Sequence, residues 1–198
     1  MNKINVLVTV IVTTFNRKIF LTETINSILN QTYNNFELIV VDNFSDYNFI
    51  NYIKSFEDNR ITGFQNKNNG IIAVNRNFGI EKAKGEYIAF CDDDDLWVPD
   101  KLEKQLEYFK TNEIIGIGSE VTKFGNLRYT YNQPLNKETK SKVLTYKEIL
   151  VGESVALSSL VVKKNKIRYS EDYKLTFVED WDYQIKLTKT GKNIIKIP

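Results

Sequence analysis

The chain has 198 residues, 42% of them hydrophobic, with a formal net charge of +2. That length supports one α/β domain with a real core, and that composition excludes a disordered chain. The near balance of charge points to neither nucleic acid nor an anionic membrane, and the absence of histidine removes histidine-based triads, histidine general bases and the usual zinc sites.

Residues 6–13 are rich in β-branched side chains and read as a central parallel strand. The apolar run from Ile4 to Val12 is too short to cross a bilayer and has no small-residue cleavage site. A buried strand therefore explains it better than a signal peptide. Leu21, Ile25, Ile28 and Leu29 recur at helical spacing within residues 19–30. A strand follows at 36–41, a short helix at 50–56 and a short strand at 61–65. Residues 73–84 read as a helix, with Gly85 placed to end it. The strand at 87–91 runs into four aspartates, Asp92, Asp93, Asp94 and Asp95. Leu102, Leu106 and Phe109 mark a helix over 100–110, where Asp100 with Glu103 resembles a capping box and Pro99 stands just outside. Strand and helix thus alternate, which implies an α/β fold with a mostly parallel central sheet flanked by helices.

After residue 113 the pattern changes. A strand is expected at 114–120, then a hairpin turn at Phe124, Gly125, Asn126 and Leu127 with a return at 128–131. Residues 132–142 read as a polar loop, 146–151 as a short helix and 158–163 as a strand. A helix over 179–189 closes near Gly191, and a strand at 194–197 ends the chain. The basic stretch Lys163, Lys164, Lys166 and Arg168 reads as a solvated turn, with a membrane-surface or acceptor patch as the alternative. The single cysteine, Cys91, ends an apolar run and reads as a buried structural thiol; its isolation fits a reducing cytoplasm.

Three acidic groups fall at strand or helix ends. Four adjacent carboxylates repel one another, because ionising one raises the cost of ionising the next. Such a run is solvated or holds a cation. At the carboxyl end of a strand, where open α/β sheets bind ligands, its hard oxygens suit Mg²⁺ or Mn²⁺ holding a diphosphate. The other two groups are Asp42, Asn43, Phe44 and Ser45 after the second strand, and Glu179, Asp180, Trp181 and Asp182 opening a helix. Alone, Asp42 would read as a turn cap and the Glu179 group as charge complementing a helix N-terminus.

Together the segments resemble family 2 glycosyltransferases of the GT-A fold, of the bacterial surface-polysaccharide type. The resemblance starts at Thr13, Thr14, Phe15, Asn16 and Arg17 after the first strand. It continues through Ser27, Ile28, Leu29, Asn30, Gln31, Thr32 and Tyr33, through residues 36–42, through Asn75, Arg76, Asn77, Phe78, Gly79 and Ile80, and through residues 83–90. Asp92, Asp93, Asp94, Asp95, Leu96 and Trp97 then fall where that family has its Asp-any-Asp metal motif, and Glu179, Asp180, Trp181 and Asp182 where it has its catalytic acidic pair.

The resemblance implies a single Rossmann-like GT-A catalytic domain over residues 1–198. Residues 1–112 would form the nucleotide-binding half and 113–198 the acceptor-facing half. The chain stops at Pro198, where relatives usually continue, so a truncated acceptor half stands beside a minimal domain as a reading. Phe15 would stack on the nucleobase, and backbone groups of Thr13 and Thr14 would bond its edge, with Asn16 and Arg17 completing the loop. Asp42 and Asn43 stand where the family has two aspartates that meet base or ribose. Asn43 departs from that pattern: its oxygen still accepts from a base N–H, but its amide adds donors. Arg76 approaches the diphosphate or, equally, is a surface helix arginine pairing with Glu81 or another carboxylate. Asp92 and Asp94 would hold the metal, Mn²⁺ or Mg²⁺. Asp94 would coordinate directly, and Asp92 would also meet the ribose or a metal-bound water. Asp93, the variable middle residue counted with the donor contacts, would point elsewhere, and Asp95 would support a ligand. Trp97 reads as core or wall. Asp180 would be the general base, Glu179 an acceptor contact or structural neighbour, and Trp181 an acceptor wall or a packing residue.

The expected activity is that of an inverting, metal-dependent hexosyltransferase. It would move a sugar from a nucleoside-diphosphate donor, UDP-linked by expectation, to a saccharide or lipid-linked acceptor in surface-glycan synthesis. The expected location is the cytoplasm, with peripheral association at the inner face of the membrane and no nucleic-acid partner. The competing readings are a nucleotide-sugar-binding module without turnover, against which an intact Asp180 argues, and a metal-dependent phosphoryl-transfer enzyme. The lack of a P-loop glycine pattern and of a basic groove counts against the second.

Overall fold

A computed structural model describes residues 5–109, 113–123 and 140–198. Strand and helix alternate as β1 (Val8–Thr14), α1 (Lys18–Leu29), β2 (Phe36–Asp42), α2 (Phe49–Lys54), β3 (Ile61–Gln65), α3 (Ile72–Lys82), β4 (Tyr87–Asp92) and α4 (Lys101–Leu106). Then come β5 (Ile114–Ser119), β6 (Lys142–Leu144), α5 (Tyr146–Leu150), β7 (Val161–Lys163), α6 (Glu179–Thr188) and β8 (Asn193–Ile197), with 3₁₀ turns at Leu157–Ser159 and Tyr173–Leu175. The strands form one eight-stranded sheet in the order β3-β2-β1-β4-β7-β5-β8-β6. β3, β2, β1 and β4 run parallel, as do β5 and β8. β7 is antiparallel to both its neighbours, and β6 to β8. The α/β class with a mostly parallel sheet is therefore the fold of this chain.

β1 lies inside the sheet between β2 and β4, and all seven of its residues are buried. Alternate side chains of a strand point to opposite faces. Val8, Val10 and Val12 join Leu21, Ile25 and Ile28 of α1 in one core, while Ile11 joins Ala73 and Ile80 of α3 in another. The near-continuous apolar sequence of β1 is what covering on both faces requires.

Several local expectations change. Gly85 does not close α3, which is capped by Ala83. A Cβ at Gly85 would stand 2.5 Å from the Thr9 nitrogen and 2.8 Å from the Leu7 oxygen, so glycine is needed there to let the chain enter β4 against β1. Asp100 makes no capping bond and pairs with Lys104 instead. A capping box does occur at Thr145 and Glu148, ahead of α5. The strand expected at 158–163 is shorter, because Leu157–Ser159 forms a 3₁₀ turn. Lys142, placed in a polar loop, begins β6 and pairs with Lys196 of β8. The hairpin expected at Phe124, Gly125, Asn126 and Leu127, with its return at 128–131, lies outside the described residues.

Candidate active site

Parallel pairing decides which loops meet. Thr14 is level with Asp42 across β1 and β2, and Thr13 is level with Asp92 across β1 and β4. The carboxyl ends of three neighbouring strands therefore deliver Thr13 through Arg17, Asp42 through Ser45, and the four aspartates to one edge, as open α/β sheets do at their ligand sites.

The aspartates divide into different environments. Asp93 is buried; its carboxylate accepts from the Thr14 hydroxyl at 2.7 Å and from Arg17 Nη1 at 3.2 Å. Burial raises the Asp93 pKa, against the pull of Thr14 and Arg17. Asp94 is exposed and accepts from the same Arg17 nitrogen at 2.7 Å through Oδ2. The Asp93 carboxylate, with Asp94 beside it, holds the Arg17 guanidinium above its ordinary value despite partial burial. Asp92 accepts from Arg76 Nη2 at 3.0 Å through Oδ1, and its backbone N–H donates to the Ser158 hydroxyl at 2.9 Å. Burial also raises the Asp92 pKa, and Arg76 opposes the rise. Asp95 joins through its main chain: its N–H donates to the Asp92 carbonyl, and its own carbonyl accepts from Thr24.

Arg76 is not a surface arginine, and the carboxylates it pairs with are ones other than Glu81. It is 5% exposed and forks between Asp92 and Glu179, whose Oε1 it meets at 2.7 Å. Its guanidinium also lies 5.5 Å from the centre of the Tyr169 ring. Burial pulls the Arg76 pKa down, but Tyr169, Asp92 and Glu179 together outweigh it and leave the group above its ordinary value. Glu179 is thus a structural neighbour that ties the first turn of α6 to the end of β4. Asp180 follows it with a half-buried side chain, and its Oδ1 accepts from the Trp181 N–H at 2.8 Å. Trp181 packs on the second core and donates to the Ile149 carbonyl at 2.7 Å. Just ahead of Asp180, Tyr173 and Phe177 are strongly exposed.

The loop after β2 differs from expectation. Asp42 is fully buried. Its oxygens accept from the Ser45 N–H, the Ser45 hydroxyl and the Gln65 amide at 2.9, 2.5 and 3.0 Å. Asn43 donates its N–H to the Thr14 carbonyl at 3.0 Å and accepts from the Asn68 N–H at 2.9 Å through Oδ1. The side-chain oxygens expected to read base or ribose are thus engaged in holding loops together. Asn16, in the left-handed region with φ 55°, bonds the same loop: its N–H reaches the Ser45 hydroxyl, and its Oδ1 accepts from the Asp46 N–H. Phe15 remains 52% exposed.

Other expectations are met away from this edge. Trp97 is buried and donates to the Ser158 carbonyl at 2.8 Å. Cys91 is buried, and burial pushes its thiol pKa up. Sequence reasoning did not find Ser158 or Tyr169, since neither sits in a recurring pattern and both reach the site only through the fold. A cleft of about 420 Å³ lined by Ile50, Ile53 and Ile61 lies at the β3 edge of the sheet and brings none of these acidic groups together.

The donor set is compatible with a hard divalent cation, which needs only one or two carboxylates when a diphosphate completes its shell. Among the described residues no group of three or more acidic, cysteine or histidine side chains forms a ready cage. Arg76 occupies one oxygen of Asp92 and Arg17 one of Asp94, and among the described residues no donor reaches Asp92 Oδ2 or Asp94 Oδ1.

Residues 9–160 match the model of the glycosyl transferase family 2, and the chain belongs to that family. It is 33% identical over 166 residues to an uncharacterised glycosyltransferase of Haemophilus influenzae, covering 82% of this chain and 64% of that one. It is 29% identical over 190 residues to the Escherichia coli UDP-Glc:α-D-GlcNAc-diphosphoundecaprenol β-1,3-glucosyltransferase WfgD, covering 96% and 72%. The chain thus spans less than two thirds of the first of these relatives. Among solved structures, S. aureus TarS 1–349 in complex with UDP-GlcNAc superposes with a TM-score of 0.76 at 20% identity, over 96% of this chain and 55% of that one. The Pyrobaculum calidifontis mannosyltransferase PcManGT, in complex with GDP-Man and Mn²⁺, gives 0.72 at 19%, over 96% and 54%. These likenesses establish the fold, which is that of GT-A glycosyltransferases.

Proposed function

We propose that this chain is the catalytic domain, over residues 1–198, of an inverting, metal-dependent hexosyltransferase. It takes a sugar from a nucleoside-diphosphate donor, UDP-linked in this reading, and passes it to a saccharide or lipid-linked acceptor in surface-glycan synthesis. The observation that supports the reading is the Asp92–Arg76–Glu179 fork, which ties Asp92 to the helix turn bearing Asp180. WfgD, by its name, uses UDP-Glc and a diphosphoundecaprenol-linked acceptor, which favours UDP and a lipid-linked acceptor. The TarS complex holds UDP-GlcNAc whereas the PcManGT complex holds GDP-Man.

In this reading Asp92 and Asp94 would hold Mn²⁺ or Mg²⁺. The ion would neutralise charge on the departing nucleoside diphosphate. Phe15, with Thr13, Thr14 and Asn16, lines the nucleoside, and Arg17 is released from Asp94 to meet the diphosphate. Asp42, Asn43 and Asp93 serve the donor indirectly by holding these loops in place. Arg76 does so by fixing Asp92. Asp180 accepts the proton of an acceptor hydroxyl as that oxygen bonds to the anomeric carbon. The bond from that carbon to the phosphate oxygen breaks, and its electron pair leaves with the nucleoside diphosphate. One displacement of this kind inverts the anomeric centre. Tyr173 and Phe177 give the acceptor side, in residues 113–198, an apolar rim. The reaction belongs in the cytoplasm, at the inner face of the membrane when the acceptor is lipid-linked.

A panel of nucleotide-sugars tested for thermal stabilisation and turnover checks this reading. At 100 times its dissociation constant a donor adds about 2.7 kcal/mol, or roughly 5–10 °C for a domain of this size. Asp180→Asn should retain that shift and lose turnover by roughly 10²- to 10⁴-fold. Stabilisation without turnover in the unmodified protein would make it a binding module, and parallel loss of binding and turnover in the variant would move the base elsewhere.

A further inference from the structure

Phe44 is held in the left-handed region with φ 60°, where a bulky side chain is an outlier. The residue is 57% exposed, so burial does not compensate for that backbone. The loop is instead fixed by its polar neighbours: Ser45 and Gln65 on Asp42, the Asn43 N–H on Thr14, and Asn16 on Ser45 and Asp46. These bonds fasten the Phe44 loop to the loop carrying Phe15, which is 52% exposed. Among the described residues neither ring pairs with another aromatic side chain. Two solvent-facing rings therefore stand on linked loops at the carboxyl edge of β1 and β2, while Asp42 is enclosed beneath them. A strained residue retained by surrounding structure is a pointer to function, and an unpaired aromatic face at a nucleotide site is suited to a base.

We infer that Phe44 is a second base-contacting aromatic beside Phe15, a binding residue for the nucleoside of the donor. This rests on the donor reading above. Asp42 then acts as the anchor that presents Phe44, and the base is recognised by its π-face, which every base offers, more than by hydrogen bonds from Asp42.

Calorimetric titration with uridine diphosphate and with pyrophosphate, both with Mn²⁺, tests the assignment on the intact chain. Glycine adopts φ near +60° without steric cost, so Phe44→Gly should keep the fold and the loop, with pyrophosphate binding as the check. Its dissociation constant for uridine diphosphate should rise about tenfold, the loss expected for one stacked base, with pyrophosphate binding unchanged. Phe44→Tyr should keep the original affinity. Equal uridine diphosphate affinity in Phe44→Gly, or an equal loss for pyrophosphate, would overturn the assignment while leaving the transferase reading intact. Unmodified protein that takes up no nucleoside diphosphate would remove both.

Discussion

Arg76 carries two ion pairs from an almost fully buried position. Removing one member of a buried ionic group is costly, because the remaining charges lose their compensation while staying out of water. Arg76→Met should therefore destabilise the fold by roughly 3 kcal/mol, the low end of the usual range, since the Asp92 side chain keeps 37% exposure. Urea unfolding measures this, and a change below about 1 kcal/mol would mean that the fork behaves as a surface pair. Lys101 offers a different test. It is buried over the Trp97 ring, 3.9 Å from its centre, and bonds to Gln105 at 2.8 Å. Burial lowers its pKa from 10.5 to about 7. Above that value the native lysine releases its proton while the unfolded chain retains one, so stability rises with pH by up to about 1.4 kcal/mol per unit. The measurable window is about pH 7 to 8.5, because Cys91, raised by burial, contributes with the opposite sign above it. Lys101→Met should flatten the rise, and an unchanged slope would refute the assignment.

Among the elements, β1 and β4 illustrate how close approach constrains composition. Their parallel contact leaves no room for a Cβ at Gly85, where the nearest atoms are backbone and cannot rotate away. Gly85→Ala should cost about 1–3 kcal/mol, the range for overpacking, and should reduce nucleotide binding with it, since β4 delivers Asp92. Thermal melts with and without uridine diphosphate would check both effects. The periodic elements of the first half were legible because β-branched runs and a period of 3.6 record which faces are buried. β6 was not, since two of its three residues are exposed and it exists as a strand through pairing with β8.

For the molecule as a whole, the carboxyl ends of β1, β2 and β4 and the start of α6 share one region although they are far apart in sequence. If Asp92 and Asp94 hold a divalent ion under the donor, EDTA should abolish most of the thermal shift given by uridine diphosphate, and added Mn²⁺ should restore it. A shift indifferent to chelation would remove the metal from the proposal. Among the described residues no helix is long and apolar enough to cross a membrane, and Tyr173 and Phe177 are exposed.

The α/β class, the alternation of elements and the positions of the three acidic groups were written in the order of residues, because hydrophobic period and local charge repulsion act over a few neighbours. The partners of those groups were not. Nothing near Arg76 in sequence announces Glu179, and nothing near Asp93 announces Thr14 and Arg17. These are contacts across 103, 79 and 76 positions, set by strand order and register. Whether a carboxylate faces solvent, as at Asp94, or is enclosed as an anchor, as at Asp42, depends on which loops the sheet draws together. Burial is a property of the assembled chain, and it divides the acidic residues into those open to solvent and those enclosed by hydrogen bonds.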